Sequence, residues 1–552
     1  MNRRLYSVPA GLCGLLLFAG CAAPGPVPAT GGAPPASGPK VDRVVWASEL
    51  PAAINNNPRT LCCNDHHQLR PIYENLIGID AETGKMAPQL STEWKLESEG
   101  RAVRFKLRQG VKFNGGDWGE FSAKDVAFTI QNFLDNEDSS NRRTYWKAVI
   151  RSVDVVNDYE VVLNIVPDAQ FFNGISELYG QVLMHSKAYY DAKGEPKGVE
   201  APAPAGTGSY QYESRDQASY IRFNRVPYKH WRVMPDFPQL EIRWIKEPST
   251  RLAALLAGEV HMTKLPTDLM PQAYKAGMKV AQGRVAGTRV FGQFGCCYFN
   301  ADGTWPMYPN SPLLNSKVRQ ALNKAVDRDE LKKVFAPSGA TMYLNSYHPT
   351  RLAWNPTWVS RFADMYGYDP AKAKALLAEA GYGPNNPLST SVLLNDILQI
   401  SGANDLAEAI AGYWRQIGVN VQLVQLDAAT QAAQARAFKF DNHFQITGTT
   451  GDQIQGIFVY GTNLNTPAAI AYFTPEFPAL YKQKIGSYME PDKWLPGLQE
   501  FGELAYTQFQ NVPLWYVPVE AVINPQVVTD WVFPGAVHST WTHMENIKAA
   551  AK

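Results

Sequence analysis

Between Cys62 and His67 the chain places two adjacent cysteines and two adjacent histidines, within NPRTLCCNDHHQLRPIYENLIG, Asn57 to Gly78. Thiolate and imidazole together suit zinc or copper better than a hard cation. Adjacent residues of an extended chain point to opposite faces, however, which disfavours Cys62 and Cys63 sharing one ion. The Cys-x2–4-Cys spacing of structural zinc is also missing. A second adjacent pair, Cys296-Cys297, stands in FGQFGCCYFN. These four thiols could form disulfides, either vicinal or between the pairs, where Cα atoms approach within about 7 Å. They could equally stay reduced and fill buried space, with His66 and His67 as surface or pocket-rim polar groups. All three accounts stay open, and the spacing favours a structural role over a metal centre.

Chemistry of other kinds leaves little trace. GxSxG, HExxH, Walker A and GxGxxG are all missing, and Gly206-Thr207-Gly208 has Gln211 where a third glycine would fall. The expectation is a protein that is not an enzyme and that needs no cofactor or metal. The alternatives are an exported metal- or thiol-dependent enzyme built on the Cys/His cluster, or a receptor for a metal complex. A formal net charge of +1 gives no reason to expect nucleic acid or an electrostatically held membrane surface as partner.

The N-terminus is an address. Arg3 and Arg4 precede the apolar run Val8 to Phe18, too short to span a bilayer and of the length of a signal-peptide core. Phe18-Ala19-Gly20-Cys21 resembles a bacterial lipobox, with Phe in place of the usual Leu. That resemblance implies a signal peptide over 1–20, diacylation of Cys21, and a tether over 21–40 rich in Ala, Pro and Gly that cannot bury a core. The mature chain is then expected outside the cytoplasm, periplasmic or at the cell surface, in a setting that permits disulfides. Its 552 residues, with 45% apolar content, call for several domains.

The elements that must hold such groups in place mix strands with helices. Val103, Phe105 and Leu107 alternate with basic residues as in a half-buried strand. Ser122 caps a helix with Asp125 in its first turn and an apolar stripe through Val126, Ile130, Phe133 and Leu134. Further helices are expected over SKVRQALNKAV, over DRDELKKVF capped by Asp327, and over DPAKAKALLAEAG, with Asp369 at the cap and Gly381 past the end. Helix DLAEAIAGYWRQIG and the alternating strand Val419 to Leu426 follow. No repeat of 20–50 residues interrupts this order, so the class is α/β with at least two domains.

In this order the segments resemble the extracytoplasmic solute-binding proteins of ABC importers, in the oligopeptide/dipeptide/nickel-binding family. Tyr73 to Trp94, Val103 to Ile130, APAGTGSYQY, Tyr298 to Leu331, YDPAKAKALLAEAGYG and NVPLWYVP carry the likeness. It implies a periplasmic-binding-protein-like clamp of type II, of the large cluster with an extra subdomain in lobe I. Lobe I would comprise 41–286 plus 514–548, and lobe II 287–513. It further implies a monomer that closes on a peptide, peptide-like or amino-compound solute and delivers it to an ABC permease with a cytoplasmic ATPase. Gly448 to Asp452 stands where relatives carry Gly-Trp-x-x-Asp. Asp452 would pair with a solute ammonium, and Thr449 and Gly451 accompany it, with Thr449 at the Trp position. Tyr145 and Trp146 lie where relatives put a pocket aromatic, although a core role suits one of them equally. No Arg stands in Ser389 to Asp405, where dipeptide binders keep a carboxylate clamp. Cys62, Cys63, His66 and His67 would lie in a loop facing the cleft, and Cys296-Cys297 just past the hinge.

Overall fold

The computed structural model describes residues 40–51, 54–61, 63–137, 143–199, 201–217, 219–285, 287–300, 302–336, 340–342, 353–394, 402–426, 428–449, 474–535 and 541–551. Two large sheets organise them. In the first, seven strands run in the order Lys279–Gln282, Glu520–Ile523, Met262–Thr263, Arg43–Ser48, Gln239–Trp244, Tyr220–Arg225 and Tyr210–Asp216. Arg43–Ser48 pairs in parallel with both neighbours and is buried on both faces, as a central parallel strand must be. Val44 and Trp46 join a core with Trp531, Trp541 and Met544, while Val45 and Ala47 pack on Leu252, Leu255 and Val260.

The second sheet has six strands in the order Thr341–Met342, Asn511–Val517, Thr288–Gly295, His443–Thr449, Ser389–Leu394 and Asn420–Gln425. The chain enters it after Gln282 and leaves it after Val517. Leu514, where the return to lobe I is expected, lies within Asn511–Val517, whose pairing with Thr288–Gly295 shifts register between Val290 and Phe291. A third sheet of four strands, Ser91–Glu97, Ala102–Leu107, Glu160–Ile165 and Ile150–Asn157, encloses its own core with helix Ala123–Asp135. The alternation of Val103, Phe105 and Leu107 is realised here, each of them buried. At the helix start, Ser122 N and Oγ both donate to Asp125 Oδ2 at 2.9 Å. Asp327 and Asp369 accept from the first-turn amides of Arg328–Phe335 and Pro370–Glu379, as caps should.

A buried charge pair docks the C-terminal segment on this framework. Arg232 Nε donates to Glu74 Oε1 at 2.9 Å and Arg232 Nη1 to Glu545 Oε1 at 2.7 Å. Burial raises the Glu545 carboxyl, but Arg232, helped by His543, outweighs it and holds the group down at about 2. A depressed carboxylate stabilises the fold above its ordinary value of 4.5, and that contribution fades as pH falls toward about 2. Glu545→Gln is expected to cost about 3 kcal/mol in urea unfolding at neutral pH, because it strands a partly buried guanidinium. The wild type should lose a comparable increment on acidification. An unfolding midpoint equal to wild type would refute the docking role.

Candidate functional site

The loop that opened the sequence is anchored from its first residues. Asn56 Nδ2 donates to Ala201 O at 2.7 Å, and Arg215 Nε donates to Asn56 Oδ1 at 2.8 Å. Arg59 Nε donates to Glu195 Oε1 at 2.8 Å. Cys63–Gln68 then forms a 3-10 helix, and Cys62 lies outside the described residues. His66 is buried with Nε2 2.8 Å from Leu61 O, and His67 is buried edge-on to Trp244 with centroids 6.0 Å apart. Both imidazoles therefore pack into the first lobe. Among the described residues no group of three or more Cys, His, Asp or Glu side chains could hold a metal ion.

Gly206-Thr207-Gly208 serves packing. Gly208 N donates to Ile72 O at 2.7 Å, and a Cβ at Gly208 would lie 2.3 Å from Pro71 O. The two backbones meet there because no side chain intervenes. Gly180, at φ +56°, makes similar room for Arg70, whose Nη2 donates to Glu177 O at 2.9 Å.

Tyr145 and Trp146 sit in one short helix, Arg143–Val149, and face different surroundings. Trp146 is fully buried in the core of the four-stranded subdomain, where its Nε1 donates to Gln181 Oε1 at 2.9 Å. Tyr145 Oη donates to Asp168 Oδ1 at 2.9 Å. Burial raises the Asp168 carboxyl above its ordinary value, opposed by the Gln170 amide and by Tyr145. Asp168 also marks a seam with the chain segment of the second lobe: its N donates to Met489 Sδ at 3.2 Å, and Ala169 N donates to Gly486 O at 3.3 Å.

In the second lobe, Cys296 and Cys297 are bonded to each other, with Cα atoms 3.7 Å apart, and both are buried in its main core. Cys297 adopts φ 69°, and Trp305 Nε1 donates to its carbonyl at 2.8 Å. Thr449 ends strand His443–Thr449 opposite Arg289. Gly451, Asp452 and Cys21 lie outside the described residues. The strand Thr288–Gly295 divides its side chains between two environments. Val290 and Phe294 enter the main core with the helices, whereas Phe291 meets Tyr516 on the opposite face. Gln293 and Gln445 share that face, with Nε2 of Gln445 3.4 Å from Gln293 Oε1. Arg289 joins them, directly across from Tyr516, and sequence reasoning passed it over. The available signal was TRVFGQFG, in which an arginine and a glutamine alternate with apolar residues.

Two lobes built on separate sheets, joined by two crossings and meeting again at a seam, define a clamp that binds between its lobes. A family profile described as bacterial extracellular solute-binding proteins, family 5 Middle, matches residues 85–467, so the chain belongs to that family. Heme-binding protein A of Haemophilus influenzae is 27% identical over 441 residues, covering 75% of this chain and 76% of that protein. The dipeptide-binding protein of Escherichia coli is 26% identical over 402 residues, covering 69% and 71%. Among solved structures, HbpA2 from Haemophilus parasuis superposes with a TM-score of 0.73 at 22% identity, covering 92% of this chain and all 100% of that one. The chain is thus a solute-binding protein of the kind that serves ABC importers, and its relatives are binding proteins.

Tyr145 and Trp146 should separate by experiment. Trp146→Phe leaves a gap and deprives Gln181 of its donor, so it should cost about 2 kcal/mol in denaturant unfolding. Tyr145→Phe should cost less than about 1.5 kcal/mol and should weaken solute binding through the seam. Equal losses of stability in the two variants would contradict this division.

Proposed function

We propose that the protein is a lipid-anchored, monomeric extracytoplasmic receptor that captures a peptide, peptide-like or amino-compound solute between its lobes and hands it to an ABC permease. Membership of family 5 across residues 85–467 carries this reading. Relatives named for a dipeptide and for glutathione support the peptide-like class. Attachment would rest on lipid at Cys21, which ends the lipobox-like Phe18-Ala19-Gly20-Cys21. Lobe I would take 41–286 with the C-terminal segment, and lobe II the inserted sheet, with closure by rotation about the crossings. Asp452 is the candidate partner of a solute ammonium, supported by Thr449 and Gly451. Cys62, Cys63, His66 and His67 belong to the loop proposed to wall the cleft, where the buried histidines would set its shape.

Native mass spectrometry of protein purified without unfolding should detect a bound amino-compound or peptide. Asp452→Asn should weaken its binding by roughly 1.5–3 kcal/mol in calorimetry, the range for hydrogen bonds to charged groups. Unchanged affinity would remove Asp452 from the site. Cys21→Ser should shift the protein from the membrane fraction to the soluble extracytoplasmic fraction. Persistence in the membrane fraction would refute the anchor.

A further inference from the structure

Among the described residues, the buried arginines follow a rule that one of them breaks. Arg319 donates to Gln508 O at 2.8 Å and Leu314 O at 3.1 Å. Arg328 donates to Pro513 O at 2.7 Å and Asn323 Oδ1 at 2.7 Å. Arg251 donates to Ile245 O at 2.9 Å, Lys246 O at 2.8 Å and Glu49 Oε1 at 3.0 Å. Each of these guanidiniums has its donors occupied by the fold. Arg289 is only 3% exposed, yet it has no hydrogen bond and no ion pair among the described residues, and its Nε is buried with no acceptor. Holding a guanidinium out of water without a partner costs several kcal/mol. Among the described residues of this lobe no partner offsets that cost.

The position of Arg289 suggests what does. It is the second residue of Thr288–Gly295, the first strand after the chain crosses into the second lobe. Alternation puts it on the face turned away from the main helical core, beside Phe291 and Tyr516. Among the described residues, the helix Ala428–Arg436 packs at the far edge of this face, beside Leu393, Val424 and Phe440. The Gln293–Gln445 amide pair lies further along the same strand. At the strand rise, Phe291 is about 7 Å from Arg289 and Gln293 about 13 Å.

We propose that Arg289 binds the carboxylate of the solute. The inference rests on the peptide-like reading of the site and narrows it to solutes with a free carboxylate. A guanidinium meets a carboxylate through two parallel N–H···O bonds, which would satisfy the donors the fold leaves open. A single cation on this face matches a single negative charge, and the neighbouring residues of the face, Phe291, Gln293, Gln445, Thr447 and Tyr516, bring no second one. Phe291 and Tyr516 then flank an apolar part of the solute, and the glutamine pair meets an amide further on. The strand after the ALLAEAGYG helix, which lacks an arginine, is thereby relieved of that role.

The test uses a mixed pool of short peptides with free C-termini and the same pool with C-terminal amides, each presented to full-length protein and scored by native mass spectrometry. Wild type should prefer free acids by roughly 10- to 100-fold, the worth of a charge-assisted bond. Arg289→Gln should retain acids and amides alike, and Arg289→Lys should keep part of the preference. A wild type that takes acids and amides equally overturns the role of Arg289 and leaves the peptide reading intact. A wild type that takes neither pool overturns both. Thermal melting of ligand-stripped protein gives a readout that a structural arginine would move the other way. Relieved of an unpaired charge, ligand-free Arg289→Gln should melt above wild type, and melting below it would overturn the proposal.

Discussion

The second lobe hangs on two short stretches of backbone, one leaving the first sheet after Gln282 and one re-entering it at Glu520. Both ends of that excursion are fixed in the same place, since Glu520–Ile523 is hydrogen-bonded between Met262–Thr263 and Lys279–Gln282. The antiparallel pairing of the departing and returning strands means that neither crossing can shift without the other. Such a pairing favours rotation about a pair of adjacent peptide segments as the relative motion of the lobes. A large apolar interface between the lobes would oppose that rotation. Among the described residues the seam holds an amide donating to a thioether, a weak acceptor, one long backbone hydrogen bond, and two small apolar contacts, Ala169 in the second lobe's core and Met489 in the core of the four-stranded subdomain.

Charge is handled in two ways on either side of this hinge. In the first lobe Arg70 and Arg232 sit in internal networks: Arg70 donates to Glu177 O and Asn75 Oδ1 with its Nε left over, and Arg232 donates to Glu74 and Glu545. Such networks hold a framework rigid because each member would be costly to strand. In the second lobe the arginines behind the sheet are equally well satisfied, while the one on its other face is not. A frame of paired guanidiniums around one that finds no partner among the described residues is the arrangement expected of a receptor whose missing partner arrives from solution.

What the sequence made legible was local. Ser122, Asp327 and Asp369 were readable as caps because a cap needs only the next three residues. The alternation over Val103 to Leu107 was readable because one face of that strand meets a core and the other bears charged side chains. The seven-stranded sheet was not readable, because it joins Arg43 to Glu520 through pairings that no short window contains. The burial of the adjacent histidines was unreadable for a related reason. His66 and His67 look like ligands in the chain, but a 3-10 turn sends both into packing, one against a carbonyl and the other against an indole. Arg289 escaped notice because alternation distinguishes two faces and cannot say that both are buried.

The small seam and the open guanidinium bear on one equilibrium. A clamp closes usefully only if the closed form is poorly populated without solute, since a solute shifts the balance by its differential affinity and no more. Strong contacts between the lobes would close an empty clamp and erase the signal that distinguishes loaded from unloaded protein. An unpaired cation pushes the opposite way, because closing low-dielectric walls around it raises its cost. The same cation becomes favourable once a carboxylate enters, so a single residue can penalise empty closure and reward loaded closure. At the far edge the Asp168 carboxyl accepts from Tyr145 Oη within the first lobe while its backbone N donates to Met489 Sδ of the other, so this pair stands where closure would be felt.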